Sequence, residues 1–459
     1  MTSSLSERGG QIAAWIAGTH ERTLPGEVIE QAKKNLADFL GVALGACHDP
    51  AVMAVRASAL SWRAAGDARI FLHQTTTPAL AALVNATMAH AMDFDDGLPG
   101  GAGHPSAPLW SATLALGGHL GLSGEALIKS YVTGFEVMAR LGGGGIEGVG
   151  RNAVRQGFHP TGLFGTPGCA AAASALLGLS AREAAHAMGV AATLSSGLVA
   201  SFGTHAKPFH AGMAAMDGIM AAQLAASGFE AATDLFELNG GYLKSFIQGR
   251  EVQAVPPMEF HNRENEWEIL QTSFKPYACC AAAHASVQAA RALAPRIGAR
   301  RVSRVQAKLF PNALFMASHM NPVTPLECKF SIPFCIAMGL RDYALVGSDF
   351  GEAVLRDRAV TDIVPLVQCQ VVDEQPLEEA HLEVWLEDGE HLAADVETVI
   401  GHPRNPMGWE ALFVKYSALV TPIIGEVKAT RLFDFARAFD EPGAAQELLA
   451  MLADDGGGQ

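Results

Sequence analysis

The chain has 459 residues, 49% of them hydrophobic and only 17% charged, and it carries a formal net charge of −15. That length is more than one core usually fills, so two domains are expected. The acidic balance argues against nucleic acid and anionic membranes as partners, although a local cluster of Lys and His can still make one pocket attractive to an anion.

Near the start, Glu7 and Arg8 precede only a short apolar run, which is unlike a secretory signal. Residues 11–46 show two helical patterns broken between Gly18 and Pro25, and helical periodicity continues at 51–65, 78–92, 106–121 and 125–141. The last of these follows Ser123, a good N-cap, and carries Glu136 and Arg140 as a favourable i,i+4 pair. Further helices are expected at 161–178, 181–196 and 210–227, and up to about Phe246 nothing alternates long enough to predict a strand. The uncharged stretches 168–181 and 187–204 are rich in Ala, Gly and Ser and are expected as buried helices, not membrane spans.

The pattern then changes. Arg304–Phe310, Cys369–Val372, His381–Leu386 and His391–Val396 alternate as strands do, with Asp388-Gly389 as a hairpin turn between the last two. Helices are expected among them at 282–295, 327–341 and 350–357, and the tail from Trp409 to about Leu452 is helical again and expected to pack back on the first part. The fold class predicted is mainly α, with a large all-helical domain (1–265 and 400–459) and a smaller α+β lid domain (266–399). Seven cysteines form no Cys-x-x-Cys pair, which fits a reduced, cytoplasmic setting with neither a zinc site nor an iron-sulfur cluster.

The most informative stretch is His90-Ala91-Met92-Asp93-Phe94-Asp95-Asp96. His90 and Asp93 are three apart at the end of the 78–92 helix and are expected to share a face. Three carboxylates in four residues are unfavourable in a core unless cations, donors or water meet them. Gly97, Pro99, Gly100, Gly101 and Gly103 then turn the chain so that His104 returns toward the acids. An acid-base site and a solvated helix end both fit this segment taken alone.

Three other segments set cationic or proton-transferring groups beside Gly and Pro. In Gly157-Phe158-His159-Pro160-Thr161-Gly162, Thr161 could cap a helix whose N-terminus favours an anion. Residues 203–212 bring His205, Lys207 and His210 before another helix, and Phe274-Lys275-Pro276-Tyr277-Ala278-Cys279-Cys280 precedes His284. A lone His or Lys in such places is usually structural or solvated; recurrence beside one acidic cluster is what suggests a carboxylate-binding site.

Together, His-x-x-Asp-Phe-Asp-Asp, His-Pro-Ser, Gly-Phe-His-x-Thr, Gly-Thr-x-x-Lys-x-x-His-x-Gly and Lys-x-Tyr-x-Cys resemble the MmgE/PrpD family, which includes 2-methylcitrate dehydratase, cis-aconitate decarboxylase and iminodisuccinate epimerase. The resemblance runs from about residue 10 to 455. It implies the two-domain fold above, a homodimer, no cofactor and no metal, and a lyase acting on a small di- or tricarboxylate, with an epimerase or decarboxylase as alternatives. Carried onto this chain, the catalytic set would be His104, His159, Asp93 and Lys207, with Lys275, His284, Tyr277 and His210 binding substrate. Loss of a proton or of CO2 beside a carboxylate builds charge on a group that is already anionic, so such a site needs fixed cations as well as a base. Lys207 and Lys275 are expected to hold carboxylates, His104 and His159 to exchange protons, and Asp93 to orient a histidine.

The chain departs from the family pattern at Gly97, where dehydratase and decarboxylase relatives usually carry Thr, at Ala278 in place of Pro, and around Ser318-His319-Met320. These changes weaken a 2-methylcitrate or cis-aconitate assignment and leave epimerisation open. Three other readings compete. Asp93-Phe94-Asp95-Asp96 is the kind of string found in proton-initiated terpene cyclases, but aromatics are only 7% and the Lys and His loops would repel a carbocation. A divalent metal on His90, Asp93, Asp95 and His104 is the second, and a carboxylate-binding protein without catalysis is the third.

Overall fold

The computed structural model describes residues 7–143, 149–236, 240–246 and 266–453. The first part is helical: α1 (Glu7–Ala17), α2 (Gly26–Gly45), α3 (Pro50–Ser61), α4 (Pro78–His90), α5 (Ser106–His119), α6 (Gly124–Gly142), α7 (Val149–Arg155), α8 (Pro160–Leu176), α9 (Ala181–Leu194), α10 (Ala206–Ala226) and the short α11 (Tyr242–Phe246). Two-residue strands, β1 (Ala68–Arg69) and β2 (Thr75–Thr76), pair antiparallel where no strand was expected. They are too short to show any alternation. The expected domain boundary at 265 lies at the edge of 247–265, outside the described residues.

Starts and stops follow local chemistry. Asp49 caps α3, Ser123 caps α6, and Ser180 with Glu183 forms a capping box on α9. The helices α4, α8 and α10 approach closely because small residues line their contacts. Gly212 of α10 backs onto Leu83 and Thr87 of α4, and Gly218 onto Cys169 of α8. Gly134 of α6 faces the Gly168 carbonyl of α8. A β-carbon at any of these positions would collide with backbone or with a packed side chain, so the Gly and Ala content is what this packing requires. No single helix among the described residues is long and apolar enough to cross a membrane.

The second part opens with α12 (Ala281–Ile297) and β3 (Val302–Leu309). Next come the short helices α13 (Ala313–Met316) and α14 (Pro325–Cys328), then α15 (Ile332–Leu340) and α16 (Arg358–Thr361). The strands β4 (Val367–Val371), β5 (Ala380–Leu386) and β6 (His391–Val396) complete a sheet of order β4-β3-β5-β6, parallel between β3 and β4 and antiparallel elsewhere. Along β5 every second residue is buried, beneath α12. The helix expected over 327–341 is broken: Lys329 and Ser331 separate α14 from α15, and Ser331 caps the latter. The one expected over 350–357 is replaced by a single 3-10 turn, Val354–Arg356, running into α16.

The tail forms α17 (Trp409–Ile424), α18 (Glu426–Arg437) and α19 (Ala444–Met451). Tyr416 of α17 lies on Gly41 of α2, Leu449 of α19 reaches Gly118 of α5, and Leu72 N donates to Leu452 O at 2.9 Å. The tail is therefore woven into the helices that open the chain.

Candidate active site

The acidic stretch differs from its sequence reading in one decisive way. Helix α4 ends at His90, and Asp93 adopts φ +54, so His90 and Asp93 do not share a helix face. Asp is among the few residues that tolerate this left-handed conformation. Beyond it the three carboxylates diverge to different partners. Both Lys207 Nζ and Lys275 Nζ contact Asp93 Oδ1, the latter at 3.1 Å, while Asp93 Oδ2 is buried without a partner. Asp95 Oδ2 sits 2.7 Å from His90 Nδ1 and 3.7 Å from His104 Nδ1. Asp96 accepts from Ser106 N at 3.1 Å and lies 2.5 Å from Ser106 Oγ, which in turn is 2.7 Å from the Tyr131 hydroxyl.

Those environments split their proton affinities. Burial would raise all three, but Lys207 and Lys275 hold Asp93 well below the usual carboxylate range, and His90 and His104 pull Asp95 down. Asp96 has no such cation, so burial pushes it well above that range. Asp93 was expected to orient a histidine; the acid that faces histidines is Asp95.

The turn is held from outside by carbonyl after carbonyl. Lys329 Nζ donates to Met92 O at 2.8 Å, Lys275 Nζ to Asp93 O at 2.9 Å and Lys415 Nζ to Phe94 O at 2.7 Å. His104 Nδ1 is 2.7 Å from Asp96 O, and Gly97 and Ser273 exchange two backbone bonds of 2.8 Å each. Lys415 also reaches Asp38 Oδ1 at 2.6 Å, which ties α17 and α2 to the same turn.

A cavity of about 140 Å³ opens against this turn. Asp93, His104, His159, Lys207, Lys275 and His284 all line it, as do Gly97, Arg151, Phe202, Cys280, Phe330, Glu378 and His402. The space suits a compact molecule, smaller than the usual cofactor pocket.

Each expected residue can be placed. His104 returns from the glycine turn with its amide donating to Thr161 Oγ1 at 3.1 Å. Gly103 is required there: its φ is +92, and a β-carbon would stand 2.6 Å from Thr161 N. Thr161 thus serves His104 and does not cap α8, whose N-cap is His159 with no side-chain cap bond. His159 Nδ1 lies 3.0 Å from His210 Nδ1, and its ring stacks on His90 at 5.6 Å. Helix α10 begins at Ala206, earlier than its expected start at 210, so Lys207 lies in the first turn with Phe202 and Phe330 about its ammonium at 5.5 and 5.3 Å.

His284 Nε2 donates to Cys279 O at 3.0 Å, and Tyr277 packs edge-on against its ring. Tyr277 and His210 do not line the cavity; each stands behind a histidine that does. Burial pushes His104 down to about 3, with Asp95 opposing, and pushes His159 well below its ordinary value, with His90 and Lys207 adding to the effect. Both shifts favour the neutral ring.

Sequence reasoning missed Lys329, Lys415 and Arg151. A single lysine inside the apolar strings Cys328-Lys329-Phe330 and Val414-Lys415-Tyr416 was a usable signal, because a buried ammonium needs a partner. Arg151 had no such signal.

A model of the MmgE/PrpD N-terminal domain matches residues 10–255, and one of the MmgE/PrpD C-terminal domain matches 277–441. The chain belongs to the MmgE/PrpD family. Among curated proteins it is similar to the cis-aconitate decarboxylase of Aspergillus terreus, at 25% identity over 476 residues, covering 96% of this chain and 95% of that protein. It is also similar to the human cis-aconitate decarboxylase, at 28% identity over 441 residues, covering 91% and 88%. The cis-aconitate decarboxylase-like protein oryM of Aspergillus oryzae is 25% identical over 492 residues, covering 99% of each.

Within this family member, one trio among the described residues has ligand atoms close enough for a metal ion: His90, Asp95 and His104, within 4.8 Å. Of its possible ligand atoms, His90 Nδ1 is engaged with Asp95 and His104 Nδ1 with the Asp96 carbonyl, while His90 Nε2 and Asp95 Oδ1 are buried without a partner. Asp93, the fourth member of the expected metal set, is taken by two ammonium groups, whose charge repels a further cation.

Proposed function

We propose that this chain is a cofactor-independent lyase acting on a small di- or tricarboxylate at the carbon beside a carboxylate. Residues 1–265 and 400–459 would form its helical body and 266–399 the domain covering the cavity. The observation that carries the reading is the convergence of Lys207, Lys275, His104, His159 and His284 with Asp93 on one small cavity.

Lys207 and Lys275 share the charge of one aspartate, which leaves positive charge for an incoming carboxylate. His104 is the base. Its Nδ1 can only donate to the Asp96 carbonyl, so Nε2 carries the free lone pair. His159, protonated when the polyanion binds, is the partner acid: its Nδ1–H donates to His210 Nδ1 and its Nε2–H is the proton it gives up, which returns it to the neutral ring. A bound polyanion raises the proton affinity of both rings, opposing the effect of burial and of the lysines.

In a decarboxylation, the bond to one carboxylate carbon breaks and CO2 leaves. The electron pair spreads onto a neighbouring carboxylate facing the lysines, and a histidine then supplies a proton to carbon. In a dehydration, His104 removes the proton beside the carboxylate, the same lysines hold the enediolate-like charge, and hydroxide leaves with the proton from His159. The named activity of the relatives supports decarboxylation of a cis-aconitate-type acid. Gly97, which provides no hydroxyl beside His104, supports a substrate distinct from theirs.

Proton NMR in D2O with cis-aconitate, citrate, 2-methylcitrate and imino-dicarboxylates tests the proposal. Product formation, or deuterium entering a carbon beside a carboxylate, is expected with one of them. Tight binding with no exchange and no product would instead indicate a carboxylate-binding protein. The expected homodimer belongs to the same reading, and sedimentation velocity tests it.

A further inference from the structure

We propose that Arg151 is a second anion anchor in this cavity, binding a substrate carboxylate other than the one held at Lys207 and Lys275. The inference rests on the carboxylate-lyase reading and adds the residue that would count carboxyl groups.

Arg151 lines the cavity from α7 and is anchored on the Pro99 carbonyl, not on Asp93. Its Nη2 donates to Pro99 O at 2.7 Å, and among the described residues its Nη1 meets only Met316 Sδ, at 4.0 Å. Its Nε is buried with no hydrogen-bond partner. No carboxylate among the described residues forms an ion pair with it; Glu378, whose charge reaches it from a distance, is bonded to Arg404 at 2.5 Å. Burying much of a guanidinium with no carboxylate in direct contact is costly, and the orphaned N–H adds to the cost. A ligand carboxylate relieves both at once, since the planar guanidinium matches its two oxygens.

The local backbone is built for this placement. Gly150 lies so close to the carbonyl of Gly101 that any side chain would collide, and Gly101, with φ +97, has Arg151 N 3.1 Å from where its β-carbon would be. The glycine turn that returns His104 is therefore also the surface on which Arg151 rests. Two separately anchored cationic centres, one at Asp93 and one at Pro99, favour a molecule with carboxylates at two points over a monocarboxylate.

Isothermal titration with three unreactive acids tests the assignment. The acids are tricarballylate, glutarate, which lacks its central carboxylate, and methylsuccinate, which lacks a terminal one. The unmodified protein is expected to prefer tricarballylate to at least one dicarboxylate by roughly tenfold or more, as expected for a charge-assisted hydrogen-bonded contact. Arg151→Gln is expected to abolish that preference, and Arg151→Lys, which keeps the charge without the fork, to reduce it. If Arg151 merely pins the 97–103 turn, Arg151→Gln weakens all three acids by one factor and the preference survives, which overturns the proposal. An unmodified protein that binds none of the acids overturns the carboxylate reading itself. Should Arg151→Gln fail to fold, Arg151→Lys decides alone: an unchanged preference rejects the anchor.

Discussion

His104 Nδ1 lies 2.7 Å from the carbonyl oxygen of Asp96. A carbonyl only accepts, so this bond fixes the tautomer and leaves Nε2 as the one nitrogen of the ring able to take a proton. Because Asp96 belongs to the turn whose other carbonyls are held by lysines, the base is oriented by the same network that supports Asp93.

His104→Ala is therefore expected to lower kcat by roughly 10²–10⁴-fold, the usual worth of a positioned base, with a much smaller change in KM. His104 must be neutral to act, and burial holds it near about 3 in the free protein. After correction for substrate ionisation, kcat/KM should show no acidic limb at the ordinary histidine value of 6.5. A limb there that disappears in His104→Gln would count against this assignment.

Lys415 links the tail to the turn, contacting Asp38 Oδ1 at 2.6 Å and Phe94 O at 2.7 Å. Lys415→Met leaves Asp38 buried without a cation and should cost about 3–5 kcal/mol in urea unfolding. Adding Asp38→Asn should recover part of the loss, because the stranded charge goes with it. A double variant whose loss equals the sum of the Lys415→Met and Asp38→Asn losses would show that the two residues are not coupled.

Gly97 is the place where a hydroxyl can be returned. A β-carbon there would meet nothing closer than 3.7 Å, and its φ is not positive, so Gly97→Thr should fold with a change within about 1 kcal/mol. His104 Nδ1 would lie 3.8 Å from that β-carbon, so the added hydroxyl enters the cavity wall beside the base. The ratio of kcat/KM values between cis-aconitate and other tricarboxylates should shift. An unchanged ratio would remove position 97 from substrate choice.

Glu136 offers a pH test of stability away from the cavity. It accepts from Arg140 Nη2 at 3.0 Å and from Ile269 N at 3.1 Å, and burial raises it from 4.5 to about 7 although Arg140 opposes the shift. The folded carboxyl keeps its proton where the unfolded one has lost it. This contribution is thus fully present at acid pH and is lost as pH rises through about 7. The Tm of the native protein relative to Glu136→Gln should fall between about pH 5 and 8. A difference that stays constant over that range would reject the shifted carboxyl.

Much of the fold was legible because helices and strands announce themselves at short range. The periodicity of 125–141, the Ser123 cap and the Glu136–Arg140 pair all reappear in α6, and Asp388-Gly389 turns between β5 and β6, with Gly389 at φ +92. The motif residues Asp93, His104, His159, Lys207, Lys275 and His284 were legible too, because their residue types and neighbouring glycines are local properties of the chain. What only the tertiary structure decided is how the three aspartates divide, why Asp93 is left-handed, and that Lys329, Lys415 and Arg151 belong to the same assembly. Those outcomes depend on partners up to 377 positions apart, as Asp38 and Lys415 are. No spacing rule specifies such pairs. Burial then sets which charge each group keeps, through neighbours that only the folded chain supplies.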